Sequence, residues 1–276
     1  MNLQPADQQI NLGRVTLNYR SQGTGEQAVI CIHGVGSSLL AWEEVVSCLH
    51  DSYKILTFDM RGHGKSTLVK GFYDIDEIVD EVIALADHVG FTSFSLAGFS
   101  LGGLIAQRLT LRYPERVKSL ILLSTVAGRN QDEKARVAAR LEALKNNVSG
   151  SHYDSSLSRW LTEDFQRQNP ELIKELRARN ASNDPECYAS AYRVLAETDF
   201  GDEITHIACP TLISTGEEDS GSNPRMARFM HDQISGSVLF VLPGLRHSIL
   251  TEAPKLVANM MDEFMRTAAG GERNDS

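Results

Sequence analysis

Along this chain, short apolar runs with a two-residue beat alternate with longer stretches in which apolar residues return every three or four positions. The first beat belongs to strands and the second to helices, because those are the periods at which side chains return to one face. Val15, Leu17 and Tyr19 alternate ahead of Gly23-Thr24-Gly25 and predict an opening antiparallel strand or hairpin. Residues 28–32, 53–58, 94–97 and 117–123 read as further strands, with 28–32 apolar throughout as a strand buried on both faces must be. Between them, Trp42, Val45, Val46 and Leu49 mark one amphipathic helix. Ile75, Ile78, Val79, Val82, Ile83 and Ala86 mark another, with Asp74 placed to cap it and Asp76 and Glu77 suited to its first turn.

Strands alternating with helices imply parallel crossover units and a sheet covered on both faces. That rhythm breaks after 123. Residues 128–200 carry charge-rich helical stretches, around 131–147, 158–166, 171–179 and 186–195, and no strand pattern. Alternation resumes with a strand at 210–215, a helix at 225–233, a strand at 238–242 and a closing helix at 254–265, before a tail from Thr267 expected to be mobile. The expected organisation is a core domain in two parts, 1–127 and 201–276, around a helical cap insertion at 128–200. The sheet has eight mostly parallel strands, and the cap follows the sixth.

Composition narrows the class. At 276 residues the chain can bury a sizeable core, and 42% hydrophobic with 23% charged residues is ordinary for a soluble globular protein. A net charge of −9 repels nucleic acid and anionic membranes, so neither is expected as a partner, and any anion must be bound locally. Without a basic, apolar leader at the N-terminus the expected address is cytoplasmic. The four cysteines, Cys31, Cys48, Cys187 and Cys209, have no C-x-x-C pair and read as reduced, buried thiols. Neither a metal nor a cofactor is expected, and a homo-oligomer stays open.

Candidate chemistry centres on Gly98-Phe99-Ser100-Leu101-Gly102, set between the strand at 94–97 and a helix whose apolar positions begin at Leu101 and end at Tyr113-Pro114. A serine at the apex of so sharp a turn is strained and presents its hydroxyl, and Gly98 and Gly102 stand where side chains would collide with backbone. The unpaired Leu101 N–H at the helix start is the nearest donor for negative charge developing on a substrate oxygen. His33-Gly34-Val35-Gly36 follows the 28–32 strand and turns its N–H groups toward a cleft. A serine needs a base, and of eight histidines His247 comes after a strand and after an acid in the order Ser, Asp, His. Asp219, directly after the 210–215 strand, is the candidate acid, with Glu218 second and Glu217 and Glu218 otherwise a solvated turn. Gly64-Lys65-Ser66 imitates a phosphate loop, but Asp59 stands where that motif needs glycine, so Arg61 and His63 are expected to fix a turn and to do no chemistry.

These motifs resemble those of the α/β-hydrolase family over about 15–266: His33-Gly34, the Ser100 elbow, Gly216-Glu217-Glu218-Asp219 and Gly244-Leu245-Arg246-His247. The resemblance implies an oxyanion hole at the N–H groups of Val35 and Leu101 and a Ser100–His247–Asp219 triad. Relatives that remove halide or open epoxides carry aspartate at the nucleophile position, so Ser100 points away from them. Within the family the chain is similar to 3-oxoadipate enol-lactonases through Arg159-Trp160-Leu161-Thr162, Asp184-Pro185-Glu186-Cys187-Tyr188 and Gly221-Ser222-Asn223-Pro224. It shares those stretches with esterases and amide hydrolases as well. The expected activity is metal-free hydrolysis of a small carboxylic ester or enol-lactone through an acyl-enzyme. Carbon–carbon or amide hydrolysis, a hydroxynitrile lyase and a cofactor-independent oxygenase on the same fold are alternatives, and a non-enzymatic receptor is a further one. Carboxylate-bearing substrates of that type need a cation in an acidic protein. Arg129, Arg225 and Arg246 are the candidates, with Trp160 and Tyr188 lining the pocket.

Overall fold

Eight strands lie in one sheet in the computed structural model, which describes residues 6–146 and 151–271. In chain order they are β1 (Gln8–Asn11), β2 (Thr16–Gln22), β3 (Gln27–Ile32), β4 (Tyr53–Phe58), β5 (Phe94–Phe99), β6 (Val117–Leu123), β7 (Thr211–Gly216) and β8 (Val238–Leu242). Across the sheet the order is β1-β2-β4-β3-β5-β6-β7-β8. The opening hairpin β1–β2 is antiparallel and joins β4 antiparallel, while every pair from β4 to β8 is parallel. Strand succession reverses beside β3, which has β4 on one side and β5 on the other. At such a point the loops leaving the two strand ends diverge and leave a crevice, which is where open α/β sheets bind ligands.

The two-residue beat sorts the strand side chains between two apolar layers. Ile30, Ile32, Leu96, Leu120 and Leu122 face α2 (Ile75–His88), α3 (Leu101–Arg112) and α9 (Pro224–Gln233). Their neighbours Val29, Cys31, Ala97, Ile121 and Leu123 face α1 (Glu43–Leu49), α10 (Ile249–Glu252) and α11 (Pro254–Gly271). Asp74 caps α2 as expected, its carboxylate accepting the Asp76 N–H at 2.9 Å. No described helix is long and apolar enough to cross a membrane.

Between β6 and β7 come α4 (Gln131–Asn146), α5 (Ser151–Trp160), α6 (Glu163–Gln168), α7 (Pro170–Ala181) and α8 (Pro185–Glu197), with no strand among the described residues. The Asp199 carboxylate accepts the backbone N–H groups of Gly128, Arg129 and Gly201, so one side chain holds together the chain leaving the core and the chain returning to it. We place the limits of the cap, 128 and 200, at this neck. The cap builds two small cores of its own, Val137, Leu141 and Tyr192 in one, Leu157, Leu161 and Ile173 in the other.

Three local expectations are corrected. The helix read at 158–166 is two helices, because Thr162 caps α6 by accepting the Phe165 N–H and so ends the preceding one. α11 continues through Gly271, past the tail expected from Thr267; residues 272–276 lie outside the described residues, as does Asn147 of the stretch expected at 131–147. All four cysteines are free, but only Cys31 and Cys187 are buried: Cys209 is half-buried, and Cys48 is exposed, since it falls off the Val45, Val46 and Leu49 stripe by which α1 packs.

Candidate active site

Ser100 joins β5 to α3 with φ 56° and ψ −115°, a conformation costly for a non-glycine residue and held by its surroundings. Its N–H bonds the Leu123 carbonyl and its own carbonyl accepts the Thr125 hydroxyl at 2.7 Å. The glycines of the turn are demanded by contact. A Cβ on Gly98 would lie 2.2 Å from the Gly102 carbonyl oxygen, and one on Gly102 would lie 2.3 Å from that of Ile32. Gly102→Ala is therefore expected to lower stability by about 2–3 kcal/mol or more, as overpacking against unyielding backbone does; a denaturant midpoint like that of the wild type would show that the helix can retreat. Ser100 itself is only 6% exposed, less than the exposed hydroxyl expected of the elbow. It opens onto a cavity of about 960 Å³.

The loop after β3 lies against this turn: a Cβ on Gly34 would sit 3.1 Å from the Ser100 Cβ. Two buried histidines hold the loop. The Met60 N–H donates to His33 Nε2 at 3.0 Å, so the ring's proton is on Nδ1, which donates to the Gly34 carbonyl at 2.7 Å. In the same way His63 Nε2 accepts the Gly36 N–H at 3.0 Å, and Nδ1–H donates to the Arg61 carbonyl. Arg61 is anchored to Glu81 and Glu77 of α2, so the expectation that Arg61 and His63 fix a turn describes their contacts well. Asp59 fills the hollow of the phosphate-loop look-alike with its own carboxylate, which accepts the N–H groups of Leu39 and Lys65.

Burial lowers the pKa of His33 to about 4 and, with the neighbouring His33 charge, that of His63 to about 3. In the unfolded chain both rings protonate near pH 6.5. Between about pH 6.5 and 4 the unfolded state therefore binds more protons than the native one, and stability must fall as pH falls through that window. Chemical unfolding across pH 4–7 should show the slope, and His63→Asn should flatten it; an equal slope in the variant would remove His63 from the acid response.

β7 and β8 deliver the remaining pair. A Cβ on Gly216 would lie 2.2 Å from the Arg246 carbonyl oxygen, so the glycine lets the loops after the two strands touch. There His247 Nδ1 meets the Asp219 carboxylate at 2.7 Å. The other Asp219 oxygen accepts the N–H groups of Gly221 and Ser222 at 2.8 and 2.9 Å. Burial pushes the Asp219 carboxyl up, but the His247 charge and hydrogen bond and these backbone donors outweigh it and leave the pKa lowered. Phe99 packs on the imidazole with ring centroids 5.2 Å apart. Glu218 is exposed and faces Arg246.

Ser100, Asp219, His247, Val35, Trp160 and Tyr188 all line the cavity. Tyr188 lies over the β3 loop, where a Cβ on Gly36 would be 2.4 Å from its ring. Leu101 turns its side chain into the core, and its N–H stands at the start of α3. The candidate arginines are placed otherwise than expected. Arg225 does not line the cavity; it binds Glu133 and the Gly128 carbonyl. Arg246 reaches the Ser158 and Leu161 carbonyls at the end of α5. Arg129 does reach the cavity wall, but its guanidinium donates to the Leu195 and Thr198 carbonyls at the end of α8. Each occupies the negative end of a helix dipole or a buried acid, which sequence distance conceals. Arg140 and Arg159 of the cap, neither of them among the candidate cations although Arg159 belongs to a stretch that carries the resemblance, line the cavity. Among the described residues no group of three or more His, Cys, Asp or Glu is arranged to hold a metal.

A strained serine turn at the sheet's switch point, a histidine bound to a buried aspartate and a helical cap define the class of α/β-fold hydrolases. The chain belongs to the alpha/beta hydrolase fold family, whose model matches residues 27–254. It is 30% identical over 253 residues to 3-oxoadipate enol-lactonase 2 of Acinetobacter baylyi, covering 91% of this chain and 94% of that one. It is 31% identical to (E)-2-((N-methylformamido)methylene)succinate hydrolase of the same organism, covering 91% and 95%. A thermophilic esterase from Thermogutta terrifontis, solved with malate bound, superposes with a TM-score of 0.84 at 26% identity, covering 96% of this chain and 99% of that one.

Proposed function

We propose that the protein is a serine hydrolase of small carboxylic esters or enol-lactones, with Ser100, His247 and Asp219 as its triad. One observation carries the reading: the serine of the strained turn opens onto the same cavity as a histidine whose Nδ1 is already bound to a buried carboxylate. With Nδ1–H donated to Asp219, Nε2 is left as the ring's acceptor. His247 takes the Ser100 proton as Oγ bonds the substrate carbonyl carbon, and the N–H groups of Val35 and Leu101 hold the oxyanion. Collapse breaks the carbon–oxygen bond, and the imidazolium returns its proton to the leaving oxygen. Water, deprotonated by the same ring, then cleaves the acyl-enzyme and frees Ser100. Asp219 keeps the ring in the required tautomer and stabilises its charged form.

The relatives named for an enol-lactone and for a substituted succinate support a carbonyl substrate that also bears carboxylate. Intact-protein mass spectrometry after a phosphonate ester probe tests the assignment. A single phosphonyl adduct on a peptide containing Ser100 is expected, and an adduct elsewhere, or one that persists in Ser100→Ala, would overturn it.

A further inference from the structure

We propose that Arg246 is a positioning residue for the base: by filling the break between α5 and α6 it fixes the segment that carries His247, and so keeps the ring aimed at Ser100. The inference rests on the serine-hydrolase reading, which makes His247 the base, and adds to it what holds that base in line. Where one helix stops and the next begins, the last carbonyls of the first and the first N–H groups of the second lose their intrahelical partners. At this break the partners come from residues 246–252. The Thr162 N–H, which would bond the Ser158 carbonyl if α5 ran on, is donated to the Glu252 carboxylate at 2.7 Å, and the Thr162 hydroxyl donates to its other oxygen at 2.7 Å. Arg246 takes the Ser158 carbonyl instead, at 2.6 Å, and reaches that of Leu161 at 3.1 Å. Between them the Ser248 N–H bonds the Trp160 carbonyl at 2.8 Å. A cation at the carbonyl end of α5 is also where the helix dipole favours one.

His247 sits in the middle of this run. Ahead of it the sheet holds the loop, through the Glu218 N–H on the Leu245 carbonyl at 2.9 Å and the close approach at Gly216. At residues 246 and 248 the hold passes to the end of α5. The bond from Nδ1 to Asp219 fixes one point of the imidazole, about which the ring can still turn. Nε2 keeps its line to Ser100 only if the backbone on both sides of residue 247 is fixed too, and those two sides are tied to the same helix end. Glu218 adds little, lying exposed and 3.4 Å from the guanidinium. Arg246 does not line the cavity, so its influence on the reaction must pass through His247. A displacement of about 1 Å at a reacting group can cost about a hundredfold in rate, which gives so indirect a contact a measurable effect.

Hydrolysis of p-nitrophenyl acetate and proton NMR of the same samples test the proposal. In Arg246→Met, kcat should fall about 10–100-fold while KM stays within about threefold of the wild type. Arg246→Lys, which keeps a donor for the carbonyls, should recover part of the loss. The proton that Nδ1 shares with Asp219 should give a sharp downfield resonance in the wild type and a broadened or displaced one in Arg246→Met. Glu252→Ala frees the Thr162 N–H to return to the Ser158 carbonyl and displace Arg246, so the resonance should change in the same way. Arg225→Met cuts a different tie of the cap, to Glu133 and the Gly128 carbonyl, and should leave kcat and the resonance unchanged. A wild-type kcat in Arg246→Met overturns the proposal, as does a lowered kcat with the resonance unmoved or an equal loss in Arg225→Met. A lower melting midpoint with both readings unchanged makes Arg246 a structural tie only and overturns it as well. If Arg246→Met does not fold, Arg246→Lys and Glu252→Ala decide by the same readings. Hydrolysis that depends on Ser100 but ignores Arg246 removes the positioning role alone. Hydrolysis indifferent to Ser100 removes the serine-hydrolase reading itself.

Discussion

Ser100→Ala is expected to reduce turnover roughly a millionfold, the scale found when a triad nucleophile is lost. The Thr125 hydroxyl held to the turn cannot take its place, since it is spent on the Ser100 carbonyl. The fold should survive. Deleting one hydroxyl changes stability by about 1 kcal/mol, a shift of a few degrees in a chain of this size. Steady-state rates and a thermal melt on one preparation check both halves, and a variant keeping more than about a tenth of its activity would exclude Ser100 as nucleophile.

Asp219→Asn should cost about four orders of magnitude in kcat at nearly constant volume. The carboxylate accepts from Gly221 and Ser222 on one oxygen and from His247 on the other, so an amide oriented to satisfy the backbone points its NH₂ at Nδ1. That donor stabilises the tautomer with the proton on Nε2, which cannot accept from a serine. Glu218→Gln removes only an exposed charge 3.4 Å from Arg246 and should change turnover by less than about threefold. Comparing the two variants separates the acids, and a larger loss in Glu218→Gln would reverse the assignment.

What could be read from the chain was what depends on near neighbours. Ile30 and Val29 announce two buried faces because strand geometry sends consecutive side chains to opposite layers. Gly98 and Gly102 announce a tight turn because the clash they avoid lies within the turn or against the adjoining strand end. Asp219 and His247 lie 28 residues apart, yet both follow strands that pair in parallel, so the sheet brings them together wherever the strands are correctly found. Arginines obey no such local rule. Arg129 takes carbonyls 66 and 69 residues away, and Arg225 an acid 92 residues away, because a long flexible cation goes to whichever orphaned acceptor the tertiary fold presents. Arg140 went unnoticed, and Arg159 was not counted among the candidate cations, for the same reason: a cavity wall and a solvated helix face have the same composition.

The cap's attachments give it a mechanical role as well. Both neighbours of His247 are tied to the end of α5: Arg246 holds the Ser158 and Leu161 carbonyls, and the Ser248 N–H bonds the Trp160 carbonyl at 2.8 Å. On the opposite side Asn183, ahead of α8, donates to the Gly36 carbonyl in the loop after β3. Any displacement of the end of α5 or of Asn183 relative to the sheet would therefore draw on the loops that hold His247 and Gly36, so the residues of the proposed mechanism share one set of tethers with the helices above them.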